Sequence, residues 1–126
     1  MTAEDVLLDF MEQSGHLAEV LSSAEKAYSF ARDVLHRPWP EAEAAIAQNP
    51  GAAYWYARDV LDRRWPEVEA AIAQDSWVAY LYARDVLKGP WPEAEAAIAQ
   101  HAWAAYEYAL DVLKLSEREA KKWGQR

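Results

Sequence analysis

Phe30, Tyr56, Tyr82 and Tyr108 stand 26 residues apart, and Trp39, Trp65 and Trp91, like Ile46, Ile72 and Ile98, keep the same step. A period held without insertions restricts the chain to architectures in which every unit packs on its neighbour in the same way. That means an elongated solenoid of local contacts rather than a globule closed by distant ones.

Inside each unit the apolar spacing is helical. In Ala52 to Gln74, the best-formed copy, Ala53, Tyr56, Ala57, Val60 and Leu61 follow the i, i+3, i+4, i+7, i+8 pattern of one buried helix face. Ser23, Asn49 and Asp75 precede the long helices as N-caps, and Asn49 is followed by Pro50, the preferred first helical residue. His101 occupies the same column as a poorer cap. The turn Asp62 to Trp65 leads into a short helix opened by Pro66, with Glu67 and Glu69 in its first turn and Val68, Ala71 and Ile72 as its apolar stripe. Connections this short make consecutive helices antiparallel. The expected fold is therefore all-α, an α-solenoid of stacked antiparallel helix pairs with about ten helices.

One domain is expected over residues 1–126, divided into a degenerate N-terminal capping unit (1–22), the repeat array (23–115) and a C-terminal capping helix (116–126). In the first, Thr2 is the predicted N-cap and Val6, Leu7, Phe10 and Met11 the buried face, ended by Ser14 and Gly15. In the last, Glu117 stands where the tryptophan column would continue, and Ser116 with Glu119 predicts a capping box.

The segments YARDVL and RWPEVEAAIA, alternating between Ala27 and Leu113, resemble short two-helix tandem repeats of uncharacterised phage, giant-virus and bacterial proteins. More loosely, they are similar to tetratricopeptide and Sel1-like arrays. The resemblance implies stacked helix pairs and no particular activity. The period is shorter than the ~34 residues of tetratricopeptide units, so groove residues of those families do not transfer to numbered positions here.

Charge and composition narrow the function classes. A formal net charge of −8 argues against nucleic acid as a partner, because phosphate binding needs clustered Lys and Arg. No apolar run approaches the ~20 residues of a membrane span, and MTAEDVLLDF starts with acids where a signal peptide carries bases; no membrane partner and a cytoplasmic location are expected. The chain has no cysteine for disulfides or thiolate metal sites. His16, His36 and His101 share neither a column nor a helical turn, and the pairs Glu41/Glu43, Glu67/Glu69 and Glu93/Glu95 point to different sides of a helix. Phosphate loops, nucleophile elbows and HExxH motifs are missing from the sequence. No catalytic, cofactor-binding or metal residues are assigned. The expectation is a non-enzymatic protein–protein interaction module, with a phage-type inhibitor or decoy, or a self-assembling structural repeat protein, as alternatives.

Three sets of residues stand out. Asp33, Asp59, Asp85 and Asp111 lie near the C-terminal ends of the long helices, where an acid opposes the helix dipole. They are expected to cap the short-helix N–H groups across the turn, or else to form an ion-pair ladder with Arg32, Arg58 and Arg84 of neighbouring units. Trp39, Trp65 and Trp91 are expected in the core. The columns Ser29, Trp55, Leu81, Glu107 and Glu25, Gly51, Trp77, Trp103 vary while their neighbours do not, which places them on an outward strip. Trp55 and Leu81 are the predicted partner contacts, with Trp77 and Trp103 either extending the patch or folding onto the preceding short helix. Finally, residues 1–25 hold six acids and no Lys or Arg, whereas 112–126 hold five bases and two acids. That asymmetry predicts a monomer with weak, salt-sensitive head-to-tail association.

Overall fold

Side-chain caps set the helix starts. In the computed structural model, which describes residues 2–125, Thr2 and Asp5 form a reciprocal capping box that opens α1 (Ala3–Ser14). Gly15, at φ 84°, ends α1 and turns directly into α2 (His16–Leu21); only glycine takes that left-handed conformation without a steric cost. Ser23, Asn49 and Asp75 accept the N–H groups of Lys26, Ala52 and Val78. They open α3 (Ala24–Phe30), α5 (Pro50–Tyr56) and α7 (Ser76–Tyr82). His101 caps as well, its Nδ1 lying 3.2 Å from the Ala104 N–H at the start of α9 (Ala102–Asp111). The short helices are α4 (Glu43–Ile46), entered through a 3-10 turn at Pro40–Ala42, then α6 (Pro66–Ile72) and α8 (Pro92–Ile98). The tenth helix among the described residues, α10 (Glu117–Gly124), is capped by Ser116.

The three ARDVL segments, Ala31–Leu35, Ala57–Leu61 and Ala83–Leu87, continue the long helices as wide π-helical turns. Each closes on a non-glycine residue in the left-handed region: His36 (φ 55°), Asp62 (52°) and Lys88 (58°), with Lys114 (60°) after α9. Such residues cost roughly 1–2 kcal/mol apiece. The wide turn is held by Arg63 N–H to Ala57 C=O and Gly89 N–H to Ala83 C=O. Val60 and Leu61 lie inside this turn, and for that reason are half-buried rather than fully buried.

The elements assemble as an all-α helical repeat. α3, α5, α7 and α9 stack in series as one layer, and each short helix packs on the long helix of its own unit. Tyr56, Tyr82, Tyr108, Ile46, Ile72 and Ile98 are fully buried between the layers. The tryptophan column is buried too. Trp39, Trp65 and Trp91 lie tilted against Phe30, Tyr56 and Tyr82, with ring centroids 5.2, 5.1 and 5.1 Å apart. In the last unit Trp123, from the end of α10, takes that place against Tyr108 at 5.6 Å. α10 lies so close on α9 that a Cβ at Gly124 would stand 3.1 Å from the Ala102 carbonyl oxygen.

Two expected apolar faces are corrected. Val6, Leu7 and Phe10 are exposed, and of the predicted face only Met11 is buried. α1 packs on the short helix α2, which covers a narrow stripe of Leu8 and Met11 and nothing wider. Ala71 is exposed as well; a two-turn helix buries a single i, i+4 stripe, here Val68 and Ile72.

Candidate interaction surface

Neighbouring units are joined by two tyrosine seams. The inner seam uses Tyr56, Tyr82 and Tyr108. The Trp65 N–H donates to the Tyr82 hydroxyl at 2.8 Å, and that hydroxyl donates to Glu69 at 2.6 Å. Trp39, Tyr56 and Glu43 repeat the relay (2.7 and 2.7 Å), as do Trp91, Tyr108 and Glu95 (2.9 and 2.7 Å). Each relay serves an N–H group at the start of a short helix, where tryptophan offers no side-chain acceptor. Burial pushes these three phenols well above their ordinary pKa, and the carboxylates they face add to the effect. Burial also raises Glu69, but hydrogen bonds from Arg64 and Tyr82 outweigh it and hold its pKa below the usual range.

The outer seam is a ladder running from α3 to α9. Arg32 donates to the Tyr28 hydroxyl (2.8 Å), which donates across the unit boundary to Asp59 (2.5 Å); Asp59 also accepts a two-pronged contact from Arg58 (2.7 and 2.9 Å). Arg58 in turn reaches Tyr54 (3.1 Å), Tyr54 donates to Asp85, Arg84 grips Asp85 and reaches Tyr80 (3.1 Å), and Tyr80 donates to Asp111. The guanidinium carbons of Arg32, Arg58 and Arg84 lie 4.9, 5.1 and 5.3 Å from the centroids of Tyr28, Tyr54 and Tyr80, within cation–π range. Arg58 and Arg84 hold Asp59 and Asp85 below the usual carboxylate pKa against the opposing effect of burial.

This arrangement corrects the expectation for the aspartate column. Asp59, Asp85 and Asp111 do not cap the short helices, because the inner relay already occupies the first N–H of each. Their arginine partners are not those of neighbouring units either: Asp33, Asp59 and Asp85 pair with the residue just before them, and the link between units is the tyrosine hydroxyl. Both seams left a trace in the sequence. Phe30 replaces tyrosine in the unit that has no WPE segment before it, and Leu110 replaces arginine in the unit after which the array stops.

Against this rigid frame the variable strip faces outward. Trp55, Trp77 and Trp103 are 38%, 40% and 58% exposed, while Leu81 is half-buried against the core. Trp77 and Trp103 do not fold onto the preceding short helices. They tilt over Tyr80 and Tyr106 of their own helices at 5.3 and 5.9 Å, and Trp55 lies over Tyr28 of the unit before it at 5.7 Å. Where Ser29 leaves the column small, a groove of about 380 Å³ opens between α3 and α5, lined by Tyr28, Ser29, Trp55, Arg32, Arg58 and Glu25. Sequence reasoning named Trp55 but not this groove; the signal was the drop from Trp55 to Ser29 in one column.

Among the described residues no three His, Cys, Asp or Glu side chains gather as a metal cluster, and no helix is long and apolar enough to cross a membrane. No protein family, curated protein or solved structure matches this chain.

Proposed function

We propose that the chain is a non-enzymatic protein–protein interaction module that binds a protein partner through Trp55 and Leu81, with Trp77 and Trp103 extending the contact. The supporting observation is the contrast between two sets of tryptophans: Trp39, Trp65 and Trp91 are buried, while Trp55, Trp77 and Trp103 stand at the surface in columns that packing leaves free. Large aromatic side chains beside arginine are the usual anchors of protein interfaces. The Arg–Tyr–Asp ladder holds the backbone under this strip before any partner arrives, which lowers the ordering cost of binding. In the groove beside Trp55, Tyr28 and Trp55 offer apolar surface and Arg32 and Arg58 offer charge, a combination suited to a partner side chain that is apolar along its stem and acidic at its tip.

The test is a double variant, Trp55→Ser with Leu81→Glu, which copies the residues found in this column in the first and fourth units. The melting point is expected to change little, and a protein captured from the native host by the parent chain is expected to be lost. Equal capture by parent and variant would move the binding site to the short-helix face.

A further inference from the structure

Each long-helix contact inside the chain has a giving and a receiving half, and the two ends of the chain display one of each uncovered. The giving half carries Tyr28, Tyr54 and Tyr80, which are buried and donate to an aspartate of the next unit. Tyr106 is the fourth of this column. It is half-buried, and among the described residues its hydroxyl has no acceptor. Beside it stand Trp103, 58% exposed, and the half-buried Leu110.

The receiving half carries the aspartates. Asp59, which takes the Tyr28 hydroxyl, has a side chain 26% exposed, whereas the Asp33 side chain is 56% exposed and is held by Arg32 alone. Val34 is 46% exposed, although Val60 and Val86 in the same column are half-buried. A groove of about 520 Å³ lies at this end; Val20 of α2 and Ser29, Phe30, Asp33 and Val34 of α3 are among its walls. α2 and α10 close the short-helix layer at the two ends, so the open halves are those of the long-helix layer.

We infer that copies of this chain associate head to tail, the Trp103–Tyr106–Leu110 face of one copy seated on the Val20–Phe30–Val34 groove of the next, with the Tyr106 hydroxyl donating to Asp33. Three groups of a regular ladder rung are then present: Tyr106, Asp33 and Arg32. The missing one is the arginine that Leu110 replaces, so this junction is more apolar than the internal ones. The charges agree: six acids and no Lys or Arg in residues 1–25 face five bases and two acids in residues 112–126. Because one patch meets a different patch, the contact does not close on itself and copies add in line. Only the long-helix half of the interface forms, which makes the association weak and sensitive to salt.

Sedimentation equilibrium from micromolar to millimolar chain tests this. At low salt the mean mass is expected to rise past twice the 14.3 kDa of one chain without a plateau, and to fall back in half-molar salt. Val34→Glu blocks the head and Trp103→Glu blocks the tail. Each alone is expected to weaken association by about tenfold or more, since each puts a charge into the apolar contact. Mixed together they should restore a dimer and nothing larger, because one keeps a working tail and the other a working head. Tyr106→Phe removes only the hydroxyl and is expected to weaken association by about fivefold. Circular dichroism melts matching the parent show that the variants fold. The inference is overturned if the parent stays at one chain mass at millimolar concentration or levels off at a dimer. It is also overturned if the parent associates while the mixture of folded single variants does not.

Discussion

The two tyrosine seams use the same side chain and the same repeat step, yet they join the units by different physics. On the inner seam Tyr56, Tyr82 and Tyr108 are sealed from solvent, and the tryptophan N–H that each hydroxyl accepts has no water to turn to. On the outer seam the arginines stay partly in water: Arg32, Arg58 and Arg84 have side chains at least 40% exposed. A bond lost there is replaced by a bond to solvent. The difference teaches that a strictly repeated polar residue says nothing by itself about its energetic weight; burial of the group it serves decides that.

The largest effect is expected where the inner seam meets the core. Trp65→Ala removes the ring that packs on Tyr56 and leaves a cavity between the layers. Chemical denaturation is expected to show a loss of about 3–5 kcal/mol. A loss under about 1 kcal/mol would mean that the tryptophan column carries no core and that the inner seam is not sealed.

Next comes the hydroxyl itself. Tyr82→Phe leaves a buried Trp65 N–H without its acceptor, whereas Tyr54→Phe leaves Asp85 still held by Arg84. The expected losses are about 1–3 kcal/mol for the first and about 1 kcal/mol or less for the second. Equal losses would erase the distinction between the seams. The same contrast has an alkaline signature. The inner phenols are raised by burial, so their contribution is complete below the unfolded tyrosine pKa of about 10 and is lost as pH rises from there through the folded values. On the outer seam Tyr80 reaches only about 12, again chiefly through burial. Thermal melts between pH 9 and 12 are expected to fall less steeply for Tyr82→Phe than for the parent.

The sequence carried the period, the caps and the long-helix core because those depend on local patterns. Ser23, Asn49, Asp75 and Ser116 cap where their side-chain oxygens predicted. It did not carry the wide ARDVL turn, since the left-handed positions 36, 62, 88 and 114 hold no glycine that would announce them. The aspartates were misread because a helix-end acid was paired with the nearest free N–H along the chain, while its partner, the tyrosine hydroxyl, lies in the preceding unit. Of the candidate surface, the columns alone picked out Trp55, Trp77 and Trp103 as free of packing. The half-burial of Leu81 and the groove at Ser29 depend on how far one unit is set from the next, which no single column records.

The smallest effect separates the two partners of one outer-seam aspartate. Asp59 is held below the ordinary carboxylate range mainly by Arg58, so its contribution is present above the unfolded pKa of about 3.9 and is lost as pH falls through the lower folded value. At neutral pH Arg58→Ala is expected to cost under about 1 kcal/mol, because water solvates both exposed charges well. It should nevertheless flatten the acid side of the stability curve, since Asp59 then returns toward its ordinary pKa. Tyr28→Phe keeps the arginine pair and removes only the bond across the unit boundary, so most of the acid dependence should remain. Urea titrations of both variants at pH 7 and pH 3 make the comparison. If Tyr28→Phe flattened the acid side as fully as Arg58→Ala, the tyrosine hydroxyl would be the group holding Asp59 ionised, and the outer seam would share the inner seam's dependence on a single buried bond.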